Sequence, residues 1–313
     1  MLHNNIIKGC RAAGSGRQRK GAFDMSDFVL FTDSTCDLTP ELVAEMDVNV
    51  LPMNFMLDGK AYRNYPDNRE LAPHDFYEAL RQGGASTTSQ VTMGEFTDAF
   101  TPVLEAGKDI LYFGFSSGLS GTYQASRLVG SELSEKFPDR RIVCVDSLQA
   151  SMGEGLFCYA VAMLRNSGAS LDECVEFIEK ETQHYCAWFT VDDLMFLKRG
   201  GRLSGAAAVA GTLLGIKPVL HVDEAGCLIP MAKVRGRRAS LDALVKHFES
   251  DATDYAQQTV FISHGDCEED AQYVADKIKA FGVKRVCIND IGPVIGAHSG
   301  PGTVALFYHG SHR

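Results

Sequence analysis

The sequence predicts an α/β protein of two domains: an N-terminal three-layer α/β/α domain with a mainly parallel sheet, and a smaller C-terminal α+β domain with a mixed sheet. Strand-like apolar runs alternate with helical patterns in the first half, which is typical of parallel strands joined by helices. From about Tyr185, a hairpin pattern and short strands replace this alternation. We expect domains at residues 27–185 and 186–313.

Composition excludes several classes of protein. The 313 residues are 45 % hydrophobic, enough for a sizeable core, and the net charge of −10 argues against a nucleic-acid binder. No segment has the apolar length of a membrane span. The nine cysteines include no Cys-x-x-Cys pair, which indicates reduced thiols in the cytoplasm and predicts neither a disulfide framework nor a metal site. We expect no cofactor.

Residues 1–26 differ from the rest of the chain. Residues 1–24 carry five Lys or Arg and one acidic residue, and they lack the apolar stretch of a signal peptide. We expect a disordered leader or upstream sequence, with Met25 as the natural start.

In the first half, Thr39 is the expected N-cap of the first helix, because Pro40 follows it at the first helical position. Asp58-Gly59 predicts a turn, and Ala85–Gln90 a hydroxyl-rich loop. The patterns predict strands at Phe28–Phe31, Val48–Met56, Ile110–Phe115 and Arg141–Val145, and helices at Pro40–Met46, Pro73–Arg81, Met93–Leu104, Thr122–Phe137, Ser151–Leu164 and Leu171–His184.

In the second half, Gly292–Gly302 reads as a conspicuous glycine-rich loop around His298. The patterns predict strands at Ala187–Val191, Lys217–Val222, Cys227–Val234, Thr259–Ser263, Arg285–Asn289 and Thr303–Tyr308, and helices at Asp192–Lys198, Ala206–Leu214, Leu241–Phe248 and Glu268–Phe281.

Three hydroxyl-bearing turns follow predicted parallel strands: Asp33-Ser34, Ser116-Ser117 and Asp146-Ser147. Ligands of such sheets bind beyond the carboxyl ends of the strands, so we expect these turns on one rim. The turn Ser116–Gly121 precedes a helix, where unpaired N–H groups favour an anion. Helix capping is the simpler explanation for the hydroxyls of Thr87–Gln90.

Gly114-Phe-Ser116-Ser-Gly118 matches the Gly-x-Ser-x-Gly turn of serine hydrolases, which makes an esterase the alternative hypothesis. Ser116, Asp193 and His298 occur in the required order. Against this, the turn continues to Gly121 before its helix begins, whereas a nucleophile elbow enters the helix at once.

Two basic features stand out in an acidic chain. Arg199 and Arg202 flank Gly200-Gly201, and an arginine there suits bidentate capture of a carboxylate or phosphate, although a solvated connector is the simpler interpretation. Lys233, Arg235, Arg237 and Arg238 form a cluster that is equally consistent with a solvated strand end or a docking patch for an anionic partner.

Six or more short motifs in a fixed order resemble the DegV family, from about Asp27 to the end of the chain. They are Thr32-Asp-Ser-Thr-Cys-Asp, Thr88-Ser-Gln, Phe115-Ser-Ser-Gly-Leu-Ser-Gly-Thr-Tyr-Gln, Asp146-Ser, Leu197-Lys-Arg-Gly-Gly-Arg-Leu-Ser, Lys217-Pro-Val-Leu and Gly292-Pro-Val-Ile-Gly-Ala-His-Ser-Gly-Pro-Gly. The resemblance implies a bacterial cytoplasmic fatty-acid-binding protein, related in fold to dihydroxyacetone kinase, with the acyl chain between two domains.

Carried over residue by residue, the resemblance implies that Thr88, Ser117, His298 and Arg202 hold the carboxylate, with Ser89 and Ser116 as neighbouring candidates. It also implies a separate ATP-dependent fatty-acid kinase subunit as partner, for which Arg235, Arg237 and Arg238 are the docking candidates. The chain contains no Gly-x-x-x-x-Gly-Lys-Ser/Thr motif for binding ATP itself. No catalytic residue is therefore expected, and the implied ligand is of the palmitate or oleate class.

Overall fold

The computed structural model describes residues 28–203 and 215–313; the predicted leader and the predicted helix at Ala206–Leu214 lie outside the described residues. The strands described are β1 (Phe28–Asp33), β2 (Asn49–Leu51), β3 (Met53–Leu57), β4 (Lys60–Asn64), β5 (Ser86–Ser89), β6 (Asp109–Gly114), β7 (Ile142–Asp146), β8 (Tyr185–Thr190), β9 (Ile216–Val222), β10 (Leu228–Arg235), β11 (Thr259–His264), β12 (Arg285–Asp290) and β13 (Val304–His309). The helices described are α1 (Pro40–Met46), α2 (Pro73–Arg81), α3 (Met93–Glu105), α4 (Thr122–Lys136), α5 (Met152–Asn166), α6 (Leu171–Glu181), α7 (Leu194–Arg199), α8 (Arg237–Asp251), α9 (Glu268–Lys279) and α10 (Pro293–Ser299).

The first sheet is parallel throughout, with the strand order β2-β1-β6-β7. Apolar side chains on both faces are buried, as expected for a parallel sheet covered by helices. Strands β1, β6 and β7 end at Asp33, Gly114 and Asp146, so the three predicted turns do follow the carboxyl ends of neighbouring strands.

The second sheet is mixed, with the order β10-β9-β8-β13-β11-β12. Only β11 and β12 pair in parallel; the other neighbours are antiparallel. Together, the parallel first sheet and the mixed second sheet confirm the predicted α/β class.

A third sheet, β4-β3-β5, is antiparallel and was not predicted. The single strand expected at Val48–Met56 is wrong, because Pro52 lacks an N–H group and separates β2 of the first sheet from β3 of the third. The loop expected at Ala85–Gln90 is also wrong. Its residues form β5, in which Thr88 lies opposite Phe55 of β3.

The glycine-rich segment Gly292–Gly302 is not a continuous loop, because it contains the helix α10. Pro293 occupies the first turn, and Gly300 ends the helix with a φ of 79°, a conformation that favours glycine. Seven residues between glycines are too few for a visible helical period, although the proline and glycine positions were a usable signal.

Two helices, α1 and α3, begin with a threonine N-cap. The Thr39 hydroxyl accepts from Leu42 N at 3.3 Å, which confirms the predicted cap of α1. Helix α3 is capped by Thr92, whose hydroxyl accepts from Glu95 N while the Glu95 carboxylate accepts from Thr92 N. The hydroxyls of Thr87, Thr88 and Ser89 in β5 are therefore not the N-cap of this helix.

Within residues 28–203 and 215–313, no helix combines the length and apolar composition needed to cross a membrane.

Two carboxyl groups are fully buried between β1 and α5, and neither forms an ion pair with any residue that the structure describes. Asp33 accepts from the Tyr112 hydroxyl at 2.6 Å, and Glu154 accepts from the Thr32 hydroxyl at 2.8 Å. Burial raises the pKa of Asp33, and burial together with the nearby Asp33 raises the pKa of Glu154 well above its ordinary value.

The hydroxyl of Thr35 lies between these two acids. It contacts Asp33 Oδ1 and is 3.0 Å from Glu154 Oε2, yet it carries only one proton. Both contacts are hydrogen bonds if Thr35 donates to Asp33 and a neutral Glu154 donates to Thr35. Because burial and the nearby Asp33 raise the pKa of Glu154 well above its ordinary value, we assign this proton to Glu154 and not to Asp33.

This assignment predicts that Glu154→Gln keeps the network, because an amide can accept from Thr32 and donate to Thr35. A raised pKa means that the neutral acid stabilises the fold at low pH, and that this contribution is lost as pH rises through the folded-state pKa. Relative to wild type, the variant should therefore gain up to about 1.4 kcal/mol of unfolding free energy per pH unit over that rise. Urea denaturation at several pH values between about 5 and 9 measures the difference. A variant that is less stable than wild type at high pH would contradict the assignment.

Candidate functional site

A cavity of about 300 Å³ lies where the three sheets meet. Its wall includes Phe115 after β6, Phe189 of β8, Phe307 of β13 and Met53 of β3. This volume is at the small end of ligand pockets, roughly 300–1,000 Å³. Segments from both halves of the chain form the cavity, so neither half encloses it alone.

The wall is mainly apolar. The apolar lining residues are Met53, Phe115, Leu119, Ala150, Phe189, Leu197, Val222, Leu228, Ile291, Val294, Ile295, Ala305 and Phe307. The remaining lining residues are Thr35, Thr88, Ser89, Gln90, Ser120, Gly121, Ser151, Arg202, His298, Ser299 and Thr303. Ser89 and Gln90 are also exposed to solvent, which places the polar group around them at the mouth.

At this mouth, a hydrogen bond joins β5 to α10. Thr88 Oγ1 lies 2.8 Å from His298 Nε2, although the two residues are 210 positions apart. The register of β5 turns Thr88 toward the buried Phe55 side, whereas Thr87 is exposed on the other face. The alternation of a β-strand therefore selects Thr88 from a run of hydroxyl residues.

His298 is a neutral imidazole at pH 7. Burial, with the cation of Arg202 as a second cause, lowers its pKa to about 4. Its Nδ1 atom is buried and has no hydrogen-bond partner among the described residues. The ring packs against Gly200, where a Cβ atom would collide with Nδ1, so the glycine of the Arg199–Arg202 segment leaves room for the histidine.

Arg202 supplies positive charge to the same wall. Its Nε donates to Leu119 O at 3.1 Å, and one Nη donates to Gly200 O. Within the described part of the chain, Arg202 forms no ion pair, because no carboxylate oxygen lies within 4.0 Å of its guanidinium nitrogens. A partly buried cation without an anion is costly, so the mouth of the cavity favours a negatively charged group.

Four of the six predicted contacts, Thr88, Ser89, Arg202 and His298, line this cavity, whereas Ser116 and Ser117 do not. The Ser116 hydroxyl is fully buried and donates to Gly226 O at 2.8 Å. Ser117 is exposed and its N–H donates to Asp146 Oδ1 at 3.1 Å. In the structure, neither serine of this pair lies on the cavity wall.

The sequence predicted that unpaired N–H groups of this turn bind an anion, but its first N–H groups are bonded within the turn. Gly118 N donates to Ser116 Oγ, and the N–H groups of Leu119 and Ser120 donate to Ser116 O. Because helix α4 begins only at Thr122, the later residues Ser120 and Gly121 reach the cavity instead.

The residues of the hydrolase hypothesis are not brought into a triad. Ser116 bonds Gly226, and the Asp193 carboxylate accepts from Met195 N at the start of α7. His298 bonds Thr88 instead of a serine nucleophile or an acid.

The predicted docking arginines lie outside the cavity wall, around the end of β10 and the start of α8. Arg237 is paired with Asp270 at 2.7 Å. Arg238 stacks on the Tyr273 ring, 3.7 Å from its centroid, and Arg235 is exposed. Cations at a helix N-terminus oppose the helix dipole, and α8 has no acid in its first turn.

Sequence reasoning missed several polar lining residues. Thr35, Ser151 and Ser299 lie within or beside motifs that the sequence displays, yet no spacing rule distinguishes a residue on a cavity wall from one in the core. Ser151 has an unusual positive φ of 53°, but this feature is visible only in the three-dimensional structure.

The fold and the cavity define an α/β protein with an internal site that is largely apolar and carries a cation at its mouth. A family model described as "Uncharacterised protein, DegV family" matches residues 27–310. A DegV domain-containing protein of Clostridium perfringens is 44 % identical over 290 residues, which cover 92 % of this chain and 99 % of the relative. The chain belongs to the DegV family.

Solved structures agree with this assignment. A fatty-acid-binding DegV family protein from Thermus thermophilus superposes with a TM-score of 0.82 at 31 % identity, covering 90 % of this chain and 99 % of the other. DegV of Bacillus subtilis, a fatty-acid-binding protein, gives a TM-score of 0.79 at 27 % identity, with 91 % and 99 % covered. The fold is thus the DegV fold.

The environment of His298 predicts an unusual titration. In the ligand-free protein, its imidazole should titrate near pH 4, and Arg202→Gln should raise the pKa only partway toward 6.5, because burial is the larger cause. Histidine-selective NMR over about pH 3.5 to 8 measures both values. A wild-type His298 that titrates near 6.5 would contradict the described site.

Proposed function

We propose that the chain binds a long-chain fatty acid of the palmitate or oleate class, with the carboxylate at Thr88, Arg202 and His298 and with Ser89 at the mouth. The observation that carries this proposal is the cation of Arg202, which has no ion-pair partner in the described part of the chain and lies beside the Thr88–His298 pair at the mouth of a mainly apolar cavity. The fatty acids bound by the Thermus and Bacillus relatives support it.

The hydrogen-bonding capacity of the site suits a carboxylate. A neutral imidazole has one donor and one acceptor nitrogen. If His298 Nε2 donates to Thr88 Oγ1, the Thr88 hydroxyl proton is free to donate to a ligand oxygen, and Arg202 adds a charge-assisted bond. The site then provides donors at the mouth without a positively charged histidine.

The apolar wall suits the tail. Burying each CH₂ group contributes roughly 0.8 kcal/mol, so the tail supplies most of the affinity and the polar group sets the orientation. The proposal leaves Ser116 and Ser117 out of the carboxylate site, and no described contact supports the esterase alternative.

We further propose that the bound carboxylate is presented to a separate ATP-dependent kinase subunit in the cytoplasm, which phosphorylates it to an acyl phosphate for phospholipid synthesis. This chain would then be a carrier without catalytic residues. Exposed Ser89 and Gln90 beside the carboxylate site support access from outside. Arg235 and Arg238 would dock an acidic surface of the kinase, whereas Arg237 is already paired with Asp270.

Two substitutions test the proposed carboxylate site. Thr88→Val should weaken fatty-acid binding about fivefold through the loss of one hydrogen bond, and Arg202→Gln should weaken it by roughly ten- to a hundredfold through the loss of a charge-assisted bond. Titration calorimetry of delipidated protein with palmitate and oleate measures both effects.

Thr87→Val is the matched control, because Thr87 neighbours Thr88 in β5 but is exposed and does not line the cavity. Native mass spectrometry of the purified wild type should also reveal a stoichiometric fatty acid. Equal affinities for the Thr88 and Thr87 variants would refute the assigned carboxylate site.

A charge-reversal variant tests the proposed docking surface for the kinase. The double variant Arg235→Glu and Arg238→Glu should slow acyl-phosphate formation by the kinase at least tenfold, because it reverses the charge of the docking surface while the cavity is untouched. A coupled assay with purified kinase and loaded carrier measures the rate, and calorimetry should show unchanged fatty-acid binding. An unchanged rate in the double variant would rule out docking at this surface.

A further inference from the structure

The cavity extends along strand β13. Thr303, Ala305 and Phe307 line it at alternate positions, so their side chains share one face of the second sheet. Helix α10, which carries His298 at the mouth, ends at Ser299, shortly before Thr303. At about 3.3 Å per strand residue, Phe307 lies roughly 13 Å beyond Thr303, away from the mouth.

Along the strands, the cavity wall ends at Phe307. The next residue on this face of β13 is His309, which lies outside the wall and contacts Glu181 Oε2 at 2.9 Å. On the neighbouring strand β8, Phe189 lines the cavity and retains 7 % exposure, whereas Ala187, directly opposite Phe307, is fully buried and does not line it. The cavity therefore closes at the level of Phe307.

Across the sheet, the wall also ends at Phe307. Its partner on β11 is Phe261, which is fully buried and does not line the cavity. In the other direction, the wall continues to Leu228 of β10, three strands away from β13. Leu228 forms a β-bridge with Leu203, the neighbour of Arg202 at the mouth. Phe307 is therefore distant from the polar mouth in both directions of the sheet.

Gly153 of α5 leaves room for the Phe307 ring. A Cβ atom at position 153 would lie 2.7 Å from Phe307 Cδ1 and 2.8 Å from Gln149 Oε1, which is closer than side chains pack. The side-chain amide of Gln149 donates to Tyr185 O, which holds it in place. Glycine is a poor helix former, and the close packing of the ring explains its presence in α5. Since the sheet residues on both sides of Phe307 are fully buried, an added Cβ atom would push the ring toward the cavity.

We propose that Phe307, packed on Gly153, is the closed end of the cavity and sets the length of the acyl chain that binds. With a cavity volume of about 300 Å³, at the lower end of ligand pockets, the site has little spare volume for a longer tail. The terminal methyl group of the longest chain that fits would contact the Phe307 ring. This inference rests on the proposed function, because it specifies which fatty acids the same cavity accepts.

The test measures the affinity of delipidated protein for saturated acids from decanoate to eicosanoate by titration calorimetry. Wild-type affinity should rise roughly fourfold with each added CH₂ group until the tail reaches Phe307, and then stop rising. Phe307→Leu should extend this rise by about two CH₂ groups, because a smaller side chain lengthens the cavity. Gly153→Ala should shorten it by about one CH₂ group, because the added methyl group displaces the ring.

Two matched controls change buried residues outside the cavity. Phe248→Leu makes the same substitution in the core between α8 and the second sheet. Gly130→Ala adds a methyl group to α4, where its nearest contact would be Ile142 Cγ2 at 3.3 Å. Neither should change the chain length at which the affinity stops rising. Thermal melting should show that all four variants fold, and the Phe307→Leu series tests the inference by itself if Gly153→Ala does not fold.

Two results would overturn the inference. Wild type, Phe307→Leu and Gly153→Ala could all reach their highest affinity at the same chain length, or Phe307→Leu could weaken every acid by the same factor, which would make the ring a general packing residue. Failure of the underlying function looks different, because wild-type protein would then bind none of the acids.

Discussion

The hydrogen bond between Thr88 and His298 is the contact on which the mouth of the cavity depends. It joins the edge strand β5 of the third sheet to the short helix α10, and it spans 210 positions of the chain. Helix α10 is held at its other end by Asp37, which follows β1. Elements of both halves must therefore be folded before the cavity wall is complete.

The mouth of the cavity carries a positive charge. Burial keeps His298 uncharged, and Arg202 remains a cation without a carboxylate partner in the described part of the chain. Behind the cavity wall, burial is the main cause that raises the pKa of Asp33 and, to about 7, that of Asp37. An anion is favoured at the mouth, and an apolar group suits the interior.

Prediction from sequence succeeded where one segment carries its own signal. Thr39 and Pro40 mark a helix start, and the alternating strands and helices indicate the parallel first sheet. Prediction failed where contacts with distant segments of the chain determine the local structure. Ser86–Ser89 is polar on both faces, so no period distinguishes a strand from a loop, and pairing with β3 alone makes it a strand. The Ser116 hydroxyl donates to Gly226 O, 110 positions later in the chain, and no local pattern indicates this partner.

The sequence by itself determined the α/β class and the family, and four of its six predicted contact residues lie on the cavity wall, because ordered motifs and local periodicity are properties of short segments. Only the tertiary structure decided which hydroxyls face the cavity, since orientation depends on strand register and on partners far away in the chain. It also decided protonation: the pKa of His298 and of Glu154 follows from burial, which arises only when distant segments pack together.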